Sequence, residues 1–526
     1  MQKLIESIKK GNTLCVLIFV LVLAAGLVIV FTFSSGMVSY DMWDYFEGVF
    51  WADATLKAKA PVNPDYYYFY LLPFGSNIIM APMIRIFGMS VLANQAGMIV
   101  FLALYIWLAI RLADALFPGD KKSILIFTSV LSLFFFTYIG DNLLHHLLAY
   151  GIAFVCLLGE LSAVIRKENG RGAVTDTVLL IALSLWSGLN GFSAAISTVP
   201  VAAAYILMRL RDRDIFRKDS ISVILMTTVP CITGLLVFMY CNTSAVSGGY
   251  YTRLLFDNVD KIVENLTQDT LISYLCCFSF MPDNVPLFSK RGIDLLIKLA
   301  FAMATLLVPA FLIIRERREE GNRERDTDRE LLFISCFFVA AVCLAQFVLM
   351  ESSTLRYLFN AILCLFIVFA YLFTKYIKKK EDVIALLLLF CFVIYMCAES
   401  VLYTFPRGQE KRSEMEAISD LILDEGLTRG YICSRYWKVL DITSEGKCCN
   451  TTVCVDREKK TVSIEKDRIF SSELEKPDDT DRFYIVTKQS SFEEDSEILA
   501  GWSRKIPVSD VYVLIYDIDC WDSLFT

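Results

Sequence analysis

Apolar runs long enough to cross a bilayer recur along almost the whole of this chain, and they constrain its fold more than any motif does. Runs of roughly 17–25 residues suffice to cover about 30 Å of hydrocarbon. They fall near 13–33, 90–116, 123–139, 143–165, 174–188, 192–208, 221–240, 293–314, 331–350, 356–374 and 383–403, eleven in all. With 56% hydrophobic residues and a mean hydropathy of +0.53, the chain is suited to lipid rather than water. A mainly α, polytopic membrane protein is expected, because a helix satisfies its own backbone where no water is present. The fifth and sixth runs are joined only by Gly188-Leu189-Asn190-Gly191. Fusing them would leave ten spans and carry the tail across the membrane.

Loop charge decides between the two counts. Lys3, Lys9 and Lys10, then Lys121 and Lys122, then Arg166, Lys167 and Arg171 occupy alternate connections, followed by Arg209 to Lys218, Arg315 to Arg329 and Lys375 to Lys380. Eleven spans with a cytoplasmic N-terminus keep every one of these basic loops inside. The same count makes residues 1–403 a membrane core with an outer loop at 34–89, and 404–526 an extracytoplasmic soluble domain. The first run leads into Ser39-Tyr40-Asp41 rather than a small-x-small cleavage site, so it is kept as an anchor. Leu71 to Phe87, broken by Pro73, Gly75 and Pro82, is expected to be an interfacial or re-entrant helix, since a span here would invert every later loop.

The candidate chemistry lies on the outer side. Asp41 and Asp44 follow the first span and, three apart, share a helix face. Such a pair can supply a general base for an acceptor hydroxyl or amine; equally, Ser39 and Asp41 suit a helix cap. The only two histidines, His145 and His146, are adjacent and follow Gly140-Asp141-Asn142. Adjacent helical residues diverge by about 100°, so one at most faces a shared cavity. Asp and His without regular ligand spacing do not define a metal site, and no cofactor is assigned, although a divalent metal ion stays open. Glu351 to Arg356 and Tyr357 open the tenth run from outside. Arg356 either snorkels to the interface or grips a phosphate with its planar fork; Arg85, Lys290 and Arg291 are the other outer cations near membrane boundaries. Acids and histidines thus gather at one surface rather than at span centres.

A wider pattern surrounds these residues. It includes the Asp-bearing first outer loop, Pro73-Phe74-Gly75, Ile86-Phe87-Gly88-Met89-Ser90, a span ending in Arg111-Leu112-Ala113, and Arg356-Tyr357-Leu358. The chain resembles the GT-C class of glycosyltransferases that use polyprenyl-phosphate sugars. Its arrangement is similar to that of protein O-mannosyltransferases and bacterial aminoarabinose or arabinosyl transferases. The layout extends over about 10–375, with motif-level likeness at 39–51, 72–90 and 355–358. The resemblance implies a catalytic base in the first outer loop, which falls on Asp41 with Asp44 as the nearest substitute. Met42 stands where that family's Asp-Glu pairing would need an acid. It also implies a polyprenyl-phosphate sugar donor, an extracytoplasmic acceptor, a cell-membrane location and inversion at the anomeric centre. Arg356 would then stabilise the departing phosphate. His145 or His146 would bind the sugar, or the phosphate when protonated, with Asp141, Arg85, Glu351 and Tyr357 as further substrate contacts.

From Pro406 the chain turns polar. A helix at Arg412 to Asp424 and strands at Gly430–Cys433, Thr461–Ile464, Phe483–Thr487 and Val511–Tyr516 are expected. They make a small α/β or α+β domain for acceptor binding, for covering the site, or as a structural cap. Its stretch Leu421 to Leu440 resembles domains that follow such cores in Gram-positive bacteria. Outside the cytoplasm, Cys433 could pair with Cys448 or Cys454, and the sequons at Asn242, Asn265 and Asn450 fall on the same side. No Walker loop, Rossmann glycines or tandem repeat is present, which disfavours a nucleotide-driven pump or nucleic-acid binding. Two alternatives remain. A transporter or lipid-linked-sugar flippase requires buried charge near span centres, and a non-catalytic envelope scaffold requires Asp41→Asn to be silent.

Overall fold

The structure is a computed structural model. It describes residues 12–525 except 34–45, 69–73, 146–148, 192, 244, 248–254, 256–257, 282–283, 320–325, 351–354, 381, 467–468 and 479. In chain order the main helices are α1 (Asn12–Phe31), α2 (Glu47–Ala58), α3 (Asn77–Phe87), α4 (Val91–Leu116), α5 (Lys121–Leu131), α6 (Tyr138–His145), α7 (Ala149–Glu168), α8 (Val174–Leu189) and α9 (Thr198–Arg211). They continue with α10 (Lys218–Thr243), α11 (Thr270–Cys277), α12 (Lys290–Glu319), α13 (Thr327–Leu349), α14 (Phe359–Lys380), α15 (Val383–Glu399), α16 (Phe405–Asp424) and α17 (Gln489–Asp495). The chain packs as two compact units: Met1–Ile29, Phe101–Met239 and Tyr251–Leu402 form a helical unit, and Val30–Val100, Tyr240–Tyr250 and Tyr403–Thr526 form a second.

All eleven apolar runs are mainly helical among the described residues. Among the described residues, seven helices are long and apolar enough to cross a membrane, with one bent pair as an eighth candidate. The bent pair is the third run, and here the structure departs from a straight span. Its helix passes through a 3-10 turn, Ser132–Phe136, and then swings by 91° into α6. Thr137 makes the corner, with extended backbone and its hydroxyl donating to the Phe134 carbonyl at 2.6 Å. Gly140 allows the return: a Cβ there would lie 2.4 Å from the Phe134 carbonyl oxygen. α3 has 11 residues, about 16 Å of rise, too short to cross the hydrocarbon.

The ends of the helices are set by ordinary capping chemistry. Asp120, Asp326 and Asp382 each accept backbone N–H groups at the starts of α5, α13 and α15. The interior is aromatic. Tyr105 packs on Phe134, Phe135 and Phe154, while Phe366 of α14 meets Phe134, Phe278 and Phe301, with centroids 5.4–6.3 Å apart. α14 packs against α5, α12 and α13 and is the centre of this unit.

The second unit carries two sheets. The larger has the order β5-β4-β3-β7-β9-β8, from Arg429–Ile432 (β3), Cys449–Asp456 (β4), Thr461–Ile464 (β5), Arg482–Lys488 (β7), Arg504–Val508 (β8) and Val511–Asp517 (β9). β3 runs parallel to both β4 and β7; the remaining pairs are antiparallel. Tyr431, Phe483, Ile485, Leu514 and Tyr516 form its core, with Phe492 and Phe525 packed on them. The smaller sheet joins all three segments expected outside the membrane: Tyr66–Tyr68 (β1) pairs in parallel with Val246–Ser247 (β2) and antiparallel with Ile469–Phe470 (β6).

Three expectations are corrected here. All sixteen cysteines are free thiols, so the tail has no disulfide framework. Asn265 and Asn450 are fully buried; Asn265 donates to the Val348 and Met350 carbonyls at 3.1 and 3.3 Å, which leaves only Asn242 among the sequons exposed. Ionisable groups also occur inside apolar helices. Glu160 of α7 is fully buried and accepts from Ser184 (3.2 Å) and Thr198 (2.6 Å). Lys298 of α12 is held by Asp294 at 3.0 Å and Glu399 at 3.4 Å. Hydroxyls from two neighbouring helices reach one carboxylate oxygen of Glu160, and the counter-charges on α12 and α15 offset the burial of Lys298.

Candidate active site

Asp41, Asp44, His146 and Glu351 lie outside the described residues. The elements around them are defined. α2 begins three residues after Asp44, with Glu47 fully buried in its first turn. Its buried face, Val49, Phe50, Trp51, Ala52 and Ala54, packs on α3, and Asn77 donates to Thr55 at 2.7 Å. α2 is therefore firmly held against α3.

In the helical unit two of the expected positions come together. His145 closes α6, and its Nδ1–H donates to the Asp141 carbonyl at 2.7 Å, with the Asp141 carboxylate 3.2 Å away. With a carbonyl as the acceptor, Nδ1 is the nitrogen that carries the proton when the ring is neutral. Arg356 and Tyr357, both half-buried, sit in the 3-10 turn Leu355–Leu358 that leads into α14. α11 packs against both α6 and this turn, and Phe359 lies 6.0 Å from the rings of Tyr138 and Tyr150 on either side of His145. Asp141, His145, Arg356 and Tyr357 thus share one end of the helical unit.

The other end of α7, about 30 Å away along its 20 residues, is closed by ion pairs. Arg166 reaches Asp114 at 2.6 Å and Asp176 at 3.3 Å, Arg111 also pairs with Asp176, and Arg211 meets Glu330 at 2.6 Å. These cations are engaged with carboxylates, so Arg111 is structural here. Arg85 is exposed in the last turn of α3. Among the described residues no group of three or more His, Cys, Asp or Glu side chains is arranged to hold a metal ion.

A cluster that sequence reasoning missed occupies the second unit. Lys438 is almost fully buried, 3.0 Å from Asp441 and 3.6 Å from Glu473, and its Nζ donates to the Asn450 carbonyl. The ring of Phe50, on α2, lies 5.7 Å from the ammonium. Asn450 in turn donates to Asp441 at 2.6 Å and accepts from Tyr484 at 2.7 Å. Tyr484 reaches Asn450 across Gly430, where a Cβ would lie 2.2 Å from the ring. Burial opposes the Lys438 charge, but Asp441 and Glu473 outweigh it and hold its pKa above the usual lysine value. With two carboxylates for one ammonium, burial pushes Asp441 up to about 6, Lys438 and Asn450 offsetting only part of that effect. A cavity of about 70 Å³ beside the cluster is also lined by Asp53 and Lys57, paired at 2.8 Å, and by Tyr66. The sequence signal was an i,i+3 Lys-Asp pair within the otherwise apolar Trp437 to Ile442.

Comparison with solved structures gives the fold a relative. The chain is similar to a crystal structure of ArnT from Cupriavidus metallidurans bound to undecaprenyl phosphate, with a TM-score of 0.54 and 11% identity over 94% of this chain and 97% of that one. The same protein in the apo state gives a TM-score of 0.43 and 14% identity over the same shares. No family model matches the chain, and no curated protein matches it either. From the length of the likeness and the apolar helices, this is a polytopic, mainly α membrane protein of GT-C-like fold with a C-terminal β-sheet region.

Proposed function

We propose that the chain moves a sugar from a polyprenyl-phosphate donor to an extracytoplasmic acceptor. The observation that carries this is the fold likeness, across 94% of the chain, to a protein solved with undecaprenyl phosphate bound. A lipid-held donor asks for spans to seat its tail, a cation for its phosphate and a carboxylate near the outer surface. In this reading the acceptor oxygen or nitrogen attacks the anomeric carbon, its proton passes to Asp41, and the bond to the polyprenyl phosphate breaks with the electron pair leaving on the phosphate. One displacement inverts the centre. Arg356 balances the charge that develops on the phosphate, and Asp141 and His145, packed against the same helix as Arg356, contact the sugar. Asp44 is the nearest substitute base.

Transport is the second reading, and Glu160 and Lys298 are the observations in its favour, since both are ionisable and buried in apolar helices. Lys298 is held by Asp294 on its own helix and Glu399 on α15, as a structural role requires. Glu160 accepts both hydroxyls at Oε1, while its buried Oε2 has no hydrogen-bond partner among the described residues. A transfer assay with donor lipid extracted from the source membranes separates the readings. Asp41→Asn should lower turnover by about 10²- to 10⁴-fold, the range for loss of a general base, with donor affinity retained. Full activity in Asp41→Asn and in Asp44→Asn would remove the base from the first outer loop.

A further inference from the structure

The six-stranded sheet has a notch. β3 is 4 residues long, whereas its parallel neighbours β4 and β7 have 8 and 7. Its last residue, Ile432, stands opposite Thr452 and Val486. From there β4 continues to Asp456 and β7 to Lys488. Beyond Thr452 the edge of β4 that faced β3 has no strand beside it, and the gap between β4 and β7 is about two strand spacings, near 9.5 Å. The carboxyl ends of all three parallel strands face this gap, with β4 on one side of β3 and β7 on the other. Open sheets with parallel strands bind ligands at such a switch point.

The notch holds a cavity of about 740 Å³, within the usual range for a small-molecule site. Its chemistry is that of a hydrogen-bonding surface. Asp456, Glu458, Glu465 and Asp495 bring carboxylates, Arg457 and Lys488 bring cations, and hydroxyls line the floor. Arg457 is neutralised by Asp495 at 2.6 Å and by Glu494, so acid is in excess. Thr487, fully buried at the end of β7, has a hydroxyl with no oxygen or nitrogen partner and only the Cys433 thiol beside it. A buried hydroxyl of this kind calls for a ligand atom or water. Burial pushes the Cys433 thiol up to about 12, so it is a neutral wall rather than a nucleophile.

We propose that this crevice is a glycan-binding site that takes a short neutral or amino oligosaccharide. Each sugar hydroxyl both donates and accepts, which matches carboxylates set beside hydroxyls and a lysine. The acid excess disfavours phosphate and uronic acids, and among the described residues no cluster suits a metal ion. The site stands on its own lining and does not depend on the transfer reaction.

The test is calorimetric titration of the full chain in nanodiscs with cellobiose, the glucosamine disaccharide of chitosan, and digalacturonic acid. Saturable binding of one of the first two is expected, at least tenfold tighter than that of digalacturonic acid. Ser491→Trp, which fills the crevice, should weaken it at least tenfold, and Lys488→Ala, at an exposed position, several-fold. If Ser491→Trp fails to fold, Lys488→Ala carries the test. The proposal is overturned by an absence of saturation at millimolar sugar, by unchanged affinity in the variants, by preference for the acidic sugar, or by a peptide binding along β4 in place of any sugar.

Discussion

Glu160 and Lys438 are both sealed from solvent, yet the two units of the molecule stabilise them differently. In the helical unit the carboxylate is met by neutral hydroxyls, Ser184 on α8 and Thr198 on α9, both from helices that follow closely in the chain. In the second unit the ammonium is met by two carboxylates and a backbone carbonyl, and by the ring of Phe50 on α2. At Glu160 the helical unit thus uses uncharged donors, although at Lys298 the same unit uses the carboxylates of Asp294 and Glu399. At Lys438 the sheet-bearing unit uses counter-charges, one of them three residues along the chain, and adds the ring of Phe50 from a distant part of the sequence. Removing a partner should then be mild at Glu160 and severe at Lys438.

The largest expected effect is Lys438→Met, which strands two buried acids and should cost about 3–5 kcal/mol, read as a fall in the melting temperature of the purified chain. An unchanged melt would break the comparison at its strongest point. Next comes pH. Asp441 has a folded-state pKa raised from 3.8 to about 6, so folding favours its protonated form. That contribution is fully present below the unfolded value and is lost as pH rises through about 6. Relative to Asp441→Asn, wild type should lose up to roughly 3 kcal/mol between about pH 4 and 7; parallel stability curves for the two proteins would refute the assignment.

Smaller effects sharpen the contrast. Glu160→Ala leaves the Ser184 and Thr198 hydroxyls without their acceptor and should cost about 1–3 kcal/mol, while Glu160→Gln, which keeps an acceptor oxygen, should cost less than half as much in the same unfolding assay. Equal losses would mean that Glu160 acts as a charge rather than as an acceptor. The smallest effect belongs to Asp53→Asn. Its Lys57 partner is largely exposed, so the melt should move by no more than about 0.5 kcal/mol.

The same contrast explains what was legible in the sequence. Helix α1 carries no charge, and α13 and α15 each follow an Asp cap, so local composition marks them well. Four tail strands were likewise visible as apolar runs. β4 was not, because Cys449-Asn450-Thr451-Thr452 carries polar side chains that are buried only through Asp441, Tyr484 and Glu473. The small sheet joining Tyr66–Tyr68, Val246–Ser247 and Ile469–Phe470 is also a product of long-range pairing, which no local pattern encodes. At the candidate site, His145 was visible through the rarity of histidine, while its pairing with Asp141 emerges from the structure. Its proximity to Arg356 was hidden, because it depends on the 91° turn after Phe136 and on α11 packing against both segments. Lys298 had a readable signal, an i,i+4 acid in an apolar helix, that reasoning from loop charge passed over.

The proposal of sugar transfer is tested most directly by following both ends of the donor. The purified chain, reconstituted in sealed vesicles with a radiolabelled polyprenyl-phosphate sugar and an envelope extract as acceptor, should pass label to the acceptor, release free polyprenyl phosphate in equal amount and yield the inverted anomer. Label that crosses the bilayer still attached to its lipid, with no free polyprenyl phosphate formed, would contradict the account and make the chain a flippase.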